Sequence, residues 1–194
     1  MNISRIFMAT APLLLSAATL HAAEFVVKSG DPNQVVFTSK ATTETFQGKT
    51  NKVQGRIVFD PASLGDSVTV HIEVDMASLD TGIGKRNQTM RDDYLQTKQY
   101  PRAVFDGATL LSGGNRVLAA DPKFEVAGNF TLHGVTRRLR ATVEVTQKDA
   151  RTLEFKTEFP VSLADYRIVR PKFLFLKLGE VQQVEVTATA VSAQ

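Results

Sequence analysis

The 194-residue chain contains no cysteine and no tryptophan, and only three histidines. Without a thiol there is no disulfide framework, no cysteine nucleophile and no cysteine on which to build a lipoprotein anchor. One histidine, His21, lies near the N-terminus. The other two, His71 and His133, lack ligand-type spacing, whereas a metal site needs three or four clustered ligands. No Gly-x-Ser-x-Gly elbow and no phosphate-binding glycine loop occurs. Asp92 and Asp93 are adjacent on a helical stretch, so their side chains diverge and do not form a facing acid–base pair. Lys and Arg total 23 against 20 Asp and Glu, an excess too small for a nucleic-acid footprint. The expectation is a non-enzyme with no metal, no resident cofactor and no nucleic-acid partner.

Long apolar runs are also scarce. The main one, residues 6–20, follows Arg5 and ends in His21-Ala22-Ala23. A basic start, a short apolar stretch and a small-residue end are the parts of a cleavable secretory signal. Spanning a bilayer takes roughly 20 apolar residues, and Ser16, Thr19 and His21 interrupt this run first. Residues 1–23 are therefore read as a signal peptide cleaved after Ala22 or Ala23. Residues 24–194 are read as one exported, soluble, periplasmic domain with no transmembrane segment. That length suits a single packed core.

What the chain has in quantity is period-two alternation. Val68, Val70, Ile72 and Val74 alternate with Thr69, His71, Glu73 and Asp75. The same rhythm runs through 123–133 (Phe124, Val126, Gly128, Phe130), 138–147, 152–161 (Leu153, Phe155, Phe159) and 184–190. Each stretch reads as a strand with one buried and one wet face. Further strands are predicted at 25–29, 35–39, 53–59 and 103–110. Turn residues separate them at 30–33, 65–66 and 112–115. Many amphipathic strands with few helices to cover them must cover one another, either by closing into a barrel or as a two-sheet sandwich.

Two interruptions stand out. In 79–101, Ile83, Met90 and Tyr94 share one helical face, with Asp80 and Thr81 as capping oxygens and Tyr100-Pro101 as a stop. A short helix is predicted to lie across a barrel end. In 164–179 the run Phe173-Leu174-Phe175-Leu176 is bracketed by Arg167, Arg170, Lys172 and Lys177.

Several ordered motifs carry a family resemblance. They are Val53-Gln54-Gly55-Arg56-Ile57-Val58-Phe59-Asp60-Pro61, Ser78-Leu79-Asp80-Thr81-Gly82 with Arg86 and Arg91-Asp92, then Tyr100-Pro101 and Phe105. Gly128-Asn129-Phe130-Thr131-Leu132-His133-Gly134-Val135-Thr136 and Phe159-Pro160-Val161-Ser162-Leu163 follow. Together they resemble the YceI-like family of lipocalin-like, polyisoprenoid-binding proteins. The resemblance implies an all-β fold, an extended eight-stranded antiparallel barrel holding a long isoprenoid or similar lipid. Related sequences often have a histidine where this chain has Thr89, so no role is carried over for it.

An apolar tail is expected among Val68, Val70, Ile72, Val74, Phe124, Phe130 and Phe155. Small residues Gly128, Ala141, Ala188 and Ala190 leave room in the lining. A polar head group, such as that of an isoprenoid quinone, is expected at the mouth near Arg86, Arg91, Asp92, Tyr166 and Arg170. Two other readings stay open: a filled barrel acting as a stress-related interaction protein, and an enzyme acting on an isoprenoid. Transient membrane contact and a homodimer are compatible with the sequence.

Overall fold

The structure is a computed structural model and describes residues 22–41, 44–60, 68–111, 123–173 and 176–193. Residues 1–21, the turns at 65–66 and 112–115, and Leu174 and Phe175 lie outside the described residues. The strands are β1 (Ala23–Val27), β2 (Gln34–Lys40), β3 (Thr45–Thr50), β4 (Val53–Phe59) and β5 (Thr69–Asp75). A short helix α1 (Gly84–Thr89) runs into a wider π turn, Met90–Tyr94. Then come β6 (Arg102–Leu110), β7 (Lys123–Leu132), β8 (Val135–Gln147), β9 (Thr152–Ser162), β10 (Lys172–Phe173), β11 (Leu176–Lys177) and β12 (Val181–Ser192).

These strands close into an eight-stranded antiparallel barrel. β4 through β9 pair in sequence, and β9 pairs with β12. The other edge of β12 bonds β2 along 183–187 and β1 along 190–192. β1 and β2 thus act as one interrupted strand. β3 and β4, which pair with β2 and β1 respectively, act as the next. Among the described residues closure pairs both edges of most strands, while the far edge of β3 meets only the Lys49–Asp80 bridge; this pairing is why alternation with so few helices is stable here.

The hairpin between β7 and β8 shows how tightly the sequence sets register. His133 and Gly134 have φ of 50° and 71°, the paired left-handed residues of a two-residue turn whose twist matches the strands. The inner faces form two clusters. At one end Phe25 stacks on Phe59 at 5.1 Å, packed with Val145, Leu153 and Ala190. At the other end Met76, Leu79, Leu132, Val161, Leu163 and Ile168 pack together. That second end also carries Ala41, Glu44, α1 and residues 163–173 and 176–180.

Three expectations need adjustment. β3 was not legible as a strand, because Phe46 is its only apolar residue and its inward neighbours are Gly48 and Thr50. Gly48 is needed there, since a Cβ would lie 2.1 Å from the Phe37 ring laid across it. Gly128 does not leave open space: a Cβ would meet the Phe105 ring at 2.3 Å and the Gly107 carbonyl at 2.2 Å. Ala190 likewise lies in the packed cluster and is fully buried.

Candidate functional site

The barrel encloses a cavity of about 1010 Å³, at the upper end of the ~300–1,000 Å³ typical of small-molecule clefts. Its wall is an apolar sleeve. On β9 the lining residues run from Phe155 through Thr157 and Phe159 to Val161, and Leu163 lines the cavity just past the strand's end. Six residue steps of strand at ~3.3 Å each make the β9 stretch roughly 20 Å long. The site is a channel, shaped for an extended chain.

All seven residues expected to line it do so: Val68, Val70, Ile72, Val74, Phe124, Phe130 and Phe155. They come from β5 and its approach, β7 and β9, brought together because period-two alternation puts each on the inner face. Ala141 and Ala188 also line the cavity, as the small-residue reading required. Ile83, Met90 and Tyr94 all line it, but not as one helical face: Ile83 is the extended residue before α1, and the other two lie on the π turn. That turn is not regular α-helix: the Leu95 N–H bonds the Met90 carbonyl at 2.8 Å, five residues back.

The polar residues divide. Arg86 is at the cavity rim. Its guanidinium lies 4.1 Å from the Phe46 ring centroid, where the π face attracts a cation. Its Nε donates to Thr81 Oγ1 and its Nη2 to the Thr81 carbonyl, both at 2.9 Å, and Glu44 is 3.5 Å away.

Arg91, Asp92, Tyr166 and Arg170 do not line the cavity. Arg91 donates to the Leu79 carbonyl at 2.9 Å, which turns it along the loop that carries α1. Asp92 is exposed on the π turn. Tyr166 folds into the core with its ring edge-on to Phe130 at 5.6 Å, and burial raises its pKa. Arg170 donates through Nε to the Leu178 carbonyl and clasps its own excursion.

Asp80 and Thr81 do not cap the helix at its first turn. Thr81 N–H and Oγ–H both donate to Asn87 Oδ1, at 2.8 and 2.7 Å. Asp80 Oδ1 accepts from Asn87 Nδ2 at 2.6 Å and from the Gly82 N–H. These bonds hold the Asp80 carboxyl below its ordinary pKa, Asn87 contributing most. Asp80 and Lys49 also exchange backbone hydrogen bonds at 2.9 and 2.8 Å, which ties this clasp to β3.

Sequence reasoning missed Glu44, Phe46, Lys85 and Gln182 in the lining, and gave no role to Thr89, which faces the cavity. Extending the 184–190 alternation one step back reaches Gln182. No comparable signal existed for Glu44.

Among the described residues, no helix is long and apolar enough to cross a membrane, and no cluster of three His, Cys, Asp or Glu is arranged for a metal.

The family model of the YceI-like domain matches residues 25–190. A UPF0312 protein of Vibrio cholerae is 32% identical over 100 residues, covering 51% of this chain and 49% of that protein. One from Shewanella denitrificans is 29% identical over 130 residues, 66% of this chain and 64% of its own. The chain spans about half the length of the first of these curated relatives. Among solved structures, Burkholderia cenocepacia BcnA superposes with a TM-score of 0.69 at 21% identity, over 82% of this chain and 96% of that one. A polyisoprenoid binding domain from Saccharophagus degradans, implicated in plant cell wall breakdown, gives 0.66 at 16% identity, over 89% and 99%. These likenesses establish the lipocalin-like barrel fold.

Proposed function

Because the chain belongs to the YceI-like domain family, we propose that it binds a long-chain isoprenoid or similar lipid and carries it through the periplasm. The observation that carries this reading is the channel itself, about 1010 Å³ and walled by Val, Ile, Leu and Phe along its length. An apolar chain inside it leaves water at ~25 cal/mol per Å² of surface buried, and no competing hydrogen bonds are broken along most of the wall. The polyisoprenoid binding domain from S. degradans, which shares the fold, supports the isoprenoid class.

Binding, not chemistry, is the proposed task. The polar groups described at the rim serve one another: Arg86 with Thr81 and Glu44, Asp80 with Asn87. The N-terminal signal pattern supports export, with residues 1–23 removed. Native mass spectrometry of protein recovered from the periplasm tests the reading. A co-purifying apolar lipid of matching mass is the expected result. Protein that emerges empty, and stays empty with long-chain isoprenoids added, overturns it.

A further inference from the structure

The barrel wall is hydrogen-bonded round most of its circumference, and β3 marks the exception. One edge of β3 pairs with β2; the other meets the segment leading into α1 only at Lys49–Asp80. From Lys49 back to Glu44, no further backbone hydrogen bond joins the two among the described residues. A side chain crosses instead: Arg86 of α1 lies over the Phe46 ring and 3.5 Å from Glu44.

Exposure marks the same seam. Of the described residues that line the channel, only Glu44, Ile83 and Lys85 are exposed, and all three flank it. Ile83 is 52% exposed and also lines the channel, so the apolar wall runs out to the surface there. At the other end of the barrel Phe25, Phe59, Leu153 and Ala190 pack together.

The surface beside the seam is basic. Lys40, Lys49 and Lys85 are exposed on β2, β3 and α1. The nearby carboxylates are already engaged, Glu44 by Arg86 and Asp80 by Asn87 and the Gly82 N–H. Asp92 and Asp93 lie further along the helical segment, roughly 10 Å beyond Lys85 and about a Debye length away. Among the described residues, three lysines thus stand uncompensated beside an apolar opening.

Resting on the carrier reading above, we propose that the seam between β3 and α1 docks on the surface of a bilayer containing anionic phospholipid, and that lipid enters the channel there. Charge complementarity selects this partner: lysines are drawn to a negative head-group layer, and an exposed apolar side chain such as Ile83 enters its edge. Docking at the seam lets an apolar chain pass from bilayer to channel without being exposed to water, the step that otherwise limits its transfer.

Flotation of the mature full-length protein with phosphatidylcholine vesicles carrying geranylgeraniol, with and without phosphatidylglycerol, tests this. Native mass spectrometry of the recovered protein reads the lipid gained. Wild type is expected to float with the phosphatidylglycerol vesicles at low salt and to come off at high salt. Lys49→Glu is expected to lower that binding, and the rate of uptake from vesicles, by about fivefold or more. Its uptake from detergent solution is expected to be unchanged, since Lys49 does not line the channel. Arg140→Glu makes the same charge change on β8, four strands away round the ring, and is expected to alter vesicle binding by less than about twofold. No flotation of wild type, or equal losses in Lys49→Glu and Arg140→Glu, overturns the docking surface, while uptake from detergent leaves the carrier reading standing. Failure to take up geranylgeraniol from either source overturns the carrier reading itself. If Lys49→Glu does not fold, Lys40→Glu takes its place, with the same outcome expected.

Discussion

Asn33 Oδ1 accepts the backbone N–H of Thr189 at 2.8 Å, in the gap where β12 has passed Gln34, the first residue of β2, and not yet reached β1. Its Nδ2 donates to the Lys28 carbonyl at 2.6 Å. One buried side chain thus stands in for the missing strand at the barrel's seam. Asn33→Ala strips both bonds and leaves a part-buried N–H without its acceptor, at a cost of ~1–3 kcal/mol. Urea unfolding is the measurement, and a midpoint equal to wild type would remove Asn33 from the seam.

Ala141 and Ala190 both point into the barrel, but into different surroundings. Ala141 lines the channel, and Ala190 is fully buried in the packed end. Ala141→Phe is expected to keep the melting temperature near wild type and to lower lipid uptake, since its ring enters open volume. Ala190→Phe is expected to lose ~1–3 kcal/mol of stability by overpacking. Equal destabilisation of the two would mean the channel is not open at Ala141.

The strands at 53–59, 69–75, 123–132 and 152–162 were legible because inward positions are nearly all Val, Ile, Leu or Phe, a pattern only a half-buried strand produces. The same rhythm identified the apolar lining, since facing the barrel interior and facing the ligand are one direction. β3 escaped because an aromatic laid over Gly48 fills its inner face, so the apolar group belongs to Phe37 on the neighbouring strand. The rim was poorly legible for another reason. Arg, Asp and Tyr on loops show no periodicity, and whether each meets ligand or backbone depends on tertiary hydrogen bonds that spacing does not encode.

His71 lies on the outer face, with Nδ1 2.6 Å from Asp106 Oδ1 and Nε2 3.1 Å from Glu73 Oε1. The Asp106 hydrogen bond chiefly raises its pKa, partial burial opposes this, and Glu73 adds to the rise. A raised folded pKa contributes stability in full below the unfolded value of ~6.5, and that contribution fades as pH climbs through the folded value. The stability gap between wild type and His71→Gln is therefore expected to be wider at about pH 5 than about pH 8. The ring is well exposed, so the gap stays below ~1 kcal/mol. Proton NMR titration of His71 checks the direction; a value at or below the ordinary one contradicts it.

Arg86 and Arg91 sit five residues apart in the helical segment, yet the structure gives them different work. Arg91 spans the loop to the Leu79 carbonyl and lies near Asp80, whose carboxyl it helps keep ionised. It does not touch the channel. Arg86 covers Phe46 among the residues that line the channel. Arg91→Ala is expected to lower stability by ~1.5–3 kcal/mol, the range for a hydrogen bond to a charged group, and to leave lipid affinity unchanged. Arg86→Lys keeps the charge but loses the planar fork that bonds Thr81 through two nitrogens. It is expected to loosen the rim, speeding lipid exit more than it lowers the melting temperature. Measuring melting temperature and lipid dissociation rate on both variants separates the roles. Faster lipid exit from Arg91→Ala at unchanged stability would return that residue to the mouth.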